Sequence, residues 1–128
     1  MERRQMHRCW ARVKTTFEGF HRYPDAPENV AFLRALHRHM FAVTVWIEQF
    51  HESRDVEYIT FQRWLRAELP AVPFPEHASC EDMAYAIAER ISDRLPGRKL
   101  RVEVAEDDEN GALIEFGGSA ETQLHPVP

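Results

Sequence analysis

Cysteine is scarce in this chain. Cys9 and Cys80 are the only two in 128 residues, and neither stands in a CxxC or zinc-finger spacing. That is not the pattern of a disulfide framework or a cysteine-rich metal cluster, and the pair is expected as reduced thiols. An excess of positive charge is missing too. With 16 Lys and Arg against 21 Asp and Glu, the formal charge is -5 and the pI is near 5.8, which argues against generic binding to nucleic acid or anionic membranes. No apolar run approaches the length of a membrane span. The locally basic Glu2-Arg3-Arg4-Gln5-Met6-His7-Arg8 is not followed by the apolar stretch of a secretory signal. These absences lead to the expectation of a cytoplasmic protein. No internal repeat or low-complexity segment is visible. At 44% hydrophobic and 29% charged, the composition is that of one globular domain with a core that needs no disulfide.

Histidine is what the chain does have. His37-Arg38-His39 places two imidazoles two residues apart, and His21 lies sixteen residues before the first. Side chains alternate faces along a strand, so His37 and His39 share a face if the apolar run Met40-Phe41-Ala42-Val43-Thr44-Val45-Trp46-Ile47 continues a strand that starts near them. A third imidazole, from His21 on a neighbouring strand, would complete three nitrogen ligands. Three protein ligands with an open fourth position are the usual layout of a catalytic zinc site. Neutral imidazoles suit zinc better than magnesium or calcium, which prefer oxygen. By itself the pair also fits two strand-end histidines in a chain that holds seven.

Cys9 to His21 is rich in aromatic and β-branched residues and predicts a strand. Residues 23–29 hold two prolines and predict a loop. Met40 to Phe50 is the clearest strand, with a hairpin turn at residues 51–55 and Val56-Glu57-Tyr58-Ile59 returning as a short strand. Thr60 is the expected N-cap of a helix whose Phe61, Trp64, Leu65 and Leu69 recur at helical spacing until Pro70. Residues 70–75 hold three prolines and predict a rigid loop. Ser79 opens a second helix, with Glu81 and Asp82 in its first turn and Met83, Ile87, Ile91 and Leu95 as its apolar stripe, until Pro96-Gly97 ends it. Leu100 to Val104 and Ala112 to Phe116 predict a hairpin with Asn110-Gly111 at its tip. The expected class is α+β: a four-stranded antiparallel sheet with two helices on one face, in the order ββ-αα-ββ. Residues 1–117 are expected to form the domain and 118–128 a disordered tail.

This layout resembles the 6-pyruvoyl-tetrahydropterin synthase / 6-carboxy-tetrahydropterin synthase family, which has the tunnelling fold (T-fold). Phe17-Glu18-Gly19-Phe20-His21-Arg22 is similar to that family's first-strand motif, and Leu36-His37-Arg38-His39-Met40-Phe41 to its Leu-His-Gly-His motif. Ile59-Thr60-Phe61 resembles the start of its first helix, Glu76-His77-Ala78-Ser79-Cys80-Glu81 the start of its second, and Val104-Ala105-Glu106 its penultimate strand. The resemblance implies zinc held by His21, His37 and His39. It also implies a pterin or purine-like ligand anchored by Glu106, whose carboxylate can accept two parallel N–H bonds from the ring edge. A solvated turn glutamate beside Asp107, Asp108 and Glu109 is the other reading of that residue. Homo-oligomers, trimers or hexamers, with active sites between subunits are implied as well.

The departures from the family bear on chemistry. Leu33 stands where the family has its catalytic cysteine, and the short segment between the helices lacks the family's Asp-His pair. Arg38 replaces the glycine between the two histidines. His77 and Cys80 are the candidate replacements. Histidine titrates near neutrality, and a thiol at a helix N-terminus is favoured as thiolate. An exposed loop histidine and a small buried thiol are the plainer readings. The implied activity is a zinc-dependent lyase-type pterin synthase feeding, in the 6-carboxy branch, 7-deazaguanine synthesis. A non-catalytic zinc-holding binding or assembly protein is the alternative, and a structural zinc completed by Glu18 or His77 is a third.

Overall fold

The computed structural model describes residues 8–117. The expected tail at 118–128 lies outside the described residues. Two long strands, β1 (Cys9–His21) and β2 (His37–Gln49), pair antiparallel over their full length, from Cys9 opposite Gln49 to His21 opposite His37. Strands β3 (Leu100–Glu106) and β4 (Asn110–Phe116) extend the sheet in the order β1-β2-β3-β4. Helices α1 (Tyr58–Glu68) and α2 (Cys80–Arg94) pack on it, and the class is α+β with an antiparallel four-stranded sheet.

The alternation of β2 builds the core. Phe41, Val43, Val45 and Ile47 are fully buried, and Val13 and Ala11 of β1 and Val104, Val102 and Leu100 of β3 lie opposite them on the same face. Phe61 and Leu65 of α1 and Met83, Ile87 and Ile91 of α2 close that face. Removing one such side chain from water stabilises the fold by roughly 1.5–3 kcal/mol. The other face carries Trp10, Arg12, Lys14 and Thr16 on β1 and Trp46 on β2, which are half-buried or exposed.

Four local expectations need correction. Val56-Glu57-Tyr58-Ile59 is not a strand. Asp55 accepts the Phe50 N–H at 2.6 Å and pairs with Arg98 at 2.7 Å, so the chain folds over itself, buries Val56 and enters α1 at Tyr58. Thr60 is not the cap either. The Glu57 carboxylate accepts the Ile59 N–H at 2.6 Å, which lowers its pKa, and Thr60 donates its hydroxyl to the same carboxylate. Residues 70–75 do not all avoid helix, because Leu69–Ala71 make a 3-10 turn with Pro70 where no N–H is needed. The hairpin tip is not Asn110-Gly111. Asp107 and Asp108, with φ of 53° and 59°, form the turn, closed by Glu109 N–H to the Glu106 carbonyl at 2.9 Å. Gly111 instead lies in β4, where a Cβ would meet the Val104 oxygen at 2.0 Å.

Helix α2 starts as expected. The Ser79 hydroxyl accepts the Asp82 N–H at 3.0 Å, and the Asp82 carboxylate accepts the Ser79 N–H at 3.1 Å. This reciprocal cap fixes the segment immediately before it, residues 76–78, against the end of β1. There Arg22 N–H reaches the Glu76 carbonyl at 2.9 Å.

Candidate metal centre

At one end of the sheet the buried face runs out of hydrophobic residues. Next after Phe41 on that face of β2 come His39 and then His37, with Gly19 and His21 of β1 opposite them. The register also puts Glu106 of β3 opposite Phe41. Three adjacent strands therefore deliver three imidazoles and a carboxylate to one face. Ring centroids lie 4.6 Å apart for His21 and His37, 5.2 Å for His21 and His39, and 4.9 Å for His37 and His39, all edge to face. The donor atoms of His21, His37, His39 and Glu106 all lie within 4.8 Å of one another, so this group could hold a metal ion.

Each imidazole is held from behind. Nδ1 of His21 bonds the Ala78 carbonyl at 2.8 Å, Nδ1 of His37 the Ala35 carbonyl at 2.9 Å, and Nδ1 of His39 the Asp107 carboxylate at 2.7 Å. All three partners only accept, so each Nδ1 carries a proton, and each Nε2 presents a lone pair when its ring is neutral. Outer hydrogen bonds of this kind fix the tautomer of metal-binding histidines. Among the described residues, three buried side-chain nitrogens lack a hydrogen-bond partner: His21 Nε2, His39 Nε2 and Arg101 Nε. Arg101 Nε lies 2.9 Å from Glu115 and His21 Nε2 3.0 Å from Glu106, so both face a carboxylate at ion-pair range.

His21 Nε2 lies 3.0 Å from Glu106 Oε2, and His39 Nε2 lies 3.7 Å from the same oxygen. A lone pair facing a carboxylate at that range is repulsive unless a proton or a cation sits between them. One cation would serve all four donors at once. In a tetrahedral site with metal–ligand distances of about 2.0–2.2 Å, neighbouring ligand atoms stand about 3.3–3.6 Å apart. The two contacts of Glu106 Oε2 bracket that spacing. Its other oxygen accepts the Asn110 amide at 3.1 Å.

A cavity of about 540 Å³ opens beside the cluster, lined by His21, His37 and Glu106 together with Leu33, His77 and Cys80. His77 is exposed at its rim. Cys80 is buried, and its thiol is pushed up to about 12, first by burial and then by the charges of Glu106 and Glu81. Those effects outweigh the helix N-terminus, so this environment favours the small buried thiol, the plainer reading, over a thiolate. Glu18 points away on the exposed face and pairs with Arg38 at 2.6 Å, so it is not the additional donor. Arg38 is accommodated because the residue between the two histidines faces outward.

Glu106, expected as a ring anchor, lines the cavity and also lies within the donor group. Asp107, a turn charge in the sequence, is the partner of His39. Its hydrogen bond to His39 lowers its carboxyl pKa, as does the Met40 N–H. Spacing to a distant histidine could not reveal that contact, because it depends on the left-handed turn. The carbonyls of Ala35 and Ala78 carry no side-chain signal at all. In comparisons with known proteins, no family model matches this chain and no curated protein matches it.

Proposed function

We propose that this chain is a zinc-binding T-fold protein acting on a pterin or purine-like substrate, a divergent relative of 6-pyruvoyl- and 6-carboxy-tetrahydropterin synthases. One observation carries the reading: three imidazoles converge beside a cavity, each anchored through Nδ1 so that its Nε2 is left to ligate. Bound there, zinc would supply Lewis-acid polarisation of a substrate carbonyl or hydroxyl. The chain's own groups set the rest. Leu33 lines the cavity where the resembling family has its catalytic cysteine, and it cannot carry a proton. His77 at the rim is the exposed acid–base candidate, while the raised Cys80 thiol can donate a proton but is a poor base near neutrality. General acid and base groups contribute about a hundred- to ten-thousand-fold each, so turnover of the family substrate is expected to be weak.

The position of Glu106 Oε2 favours a second reading, a zinc-holding binding or assembly protein in which that carboxylate fills the fourth position and no turnover occurs. In either case the proposal includes a homo-oligomer, a trimer or a hexamer. It rests on the family resemblance and on the outer edges of β1 and β4, which have no strand partner among the described residues. The two free thiols suit the cytoplasm, where we assign the protein. No described helix is long and apolar enough to cross a membrane.

The test is conversion of 7,8-dihydroneopterin triphosphate by zinc-loaded protein, beside Leu33→Cys and His37→Ala. The expected outcome is low wild-type turnover, a gain in Leu33→Cys and none in His37→Ala. Zinc-loaded protein that neither binds nor converts the compound would contradict the pterin reading. Robust turnover that survives His37→Ala would contradict the metal reading.

A further inference from the structure

The three histidines are not held alike. His21 and His37 lean on backbone carbonyls, while His39 leans on a side chain, the carboxylate of Asp107 at 2.7 Å. That carboxylate is itself fixed without any metal. Its second oxygen accepts the Met40 N–H at 3.1 Å, and the Asp107 N–H bonds the Met40 carbonyl at 2.8 Å. Asp107 thus prolongs the β2–β3 pairing one step beyond Phe41 opposite Glu106. Its φ of 53° turns the carboxylate back onto β2, a conformation that Asp and Asn tolerate better than other side chains.

Resting on the metal reading above, we propose that Asp107 is the positioning residue of the metal centre. Through a charged hydrogen bond it holds the proton of His39 on Nδ1 and leaves Nε2 free to ligate. The same turn supplies Glu106 to the donor group and Asp107 behind it, so the β3–β4 hairpin forms the second half of a site whose first half is β1 and β2.

Asp107→Asn is the discriminating substitution. Asn keeps the left-handed turn but has one acceptor and one donor group. If its oxygen retains the Met40 N–H, its amide faces His39 Nδ1 as a donor and drives the ring proton to Nε2, where it blocks the metal. The experiment combines ¹⁵N NMR of the histidine rings in metal-free protein with zinc affinity measured against a competing chelator, for wild type, Asp107→Asn and His37→Ala. Metal-free wild type should show His39 protonated at Nδ1. Asp107→Asn should melt within a few degrees of wild type, carry the His39 proton on Nε2, and bind zinc about 10- to 100-fold more weakly. Unchanged zinc affinity in Asp107→Asn, with wild type binding tightly and His37→Ala impaired, overturns the role of Asp107 and leaves the metal reading intact. No zinc binding by wild type overturns the metal reading and this role with it. The wild-type ring spectrum needs no variant, and a His39 proton found on Nε2 there refutes the proposal even if Asp107→Asn fails to fold.

Discussion

Both ends of β2 carry polar groups beyond the core, and they treat them differently. At the Gln49 end each is matched. Gln49 accepts the Val56 N–H at 3.2 Å and donates to the Glu52 carbonyl, Asp55 takes the Phe50 N–H and the Arg98 guanidinium, and Arg98 also donates to the Glu48 carbonyl at 3.0 Å. At the His37 end the outer nitrogens are equally well matched, but Nε2 of His21 and of His39 faces inward with no hydrogen-bond partner. A buried polar atom left unmade costs about 1–3 kcal/mol. One end is a finished structural joint. The other presents donors that could hold a cation, and that asymmetry is what the metal reading rests on.

The largest expected effect lies in the apolar stretch that joins the two ends. Ile47→Ala opens a cavity at a fully buried position and should lower stability by about 2–5 kcal/mol in urea denaturation, with or without zinc. A loss under 1 kcal/mol would mean that the strand is not the core's centre.

Zinc should act only through the other end. At about a hundredfold excess over its dissociation constant, a ligand of the native state adds about 2.7 kcal/mol. Wild type should gain that increment in thermal or urea unfolding, and His37→Ala should lose it while keeping its zinc-free stability. A similar zinc gain in both proteins would erase the contrast between the ends.

The finished joint should respond to acid instead. Arg98, and then the Phe50 N–H, hold the Asp55 carboxyl at about 2 against an ordinary 3.8. Because the folded value is depressed, the stabilisation is fully present above about pH 4 and fades as pH falls toward 2. Asp55→Asn should cost about 1.5–3 kcal/mol near neutrality, the range for hydrogen bonds to charged groups. Its difference from wild type should close between pH 4 and 2. A difference that stays constant over that window would show that Asp55 contributes shape and not charge.

Much of this was legible in the sequence, for identifiable reasons. Strand signals in β1 and β2 are local, so Cys9–His21 follows from its aromatic and β-branched residues and the shared face of His37 and His39 from period two. Ser79 and Asp82 announce the second helix by their spacing. Glu57 was hidden because its carboxylate caps from a position that reads as strand, inside a Val-Glu-Tyr-Ile run. The hairpin tip lies elsewhere than Asn110-Gly111 because two aspartates adopt the left-handed turn that Asn-Gly usually signals. Asp107 and the carbonyls of Ala35 and Ala78 were invisible for a deeper reason. What they do depends on strands meeting at one end of the sheet, and no residue pattern near them encodes that meeting.

X-ray absorption on the zinc-loaded protein, with metal content measured alongside, tests the metal centre most directly. The account predicts one zinc per chain, imidazole and oxygen ligands at about 2.0–2.1 Å, and no sulfur near 2.3 Å. The imidazole signal should be cut in His37→Ala. Protein that retains no zinc, or a spectrum with a sulfur shell from Cys80, would contradict it.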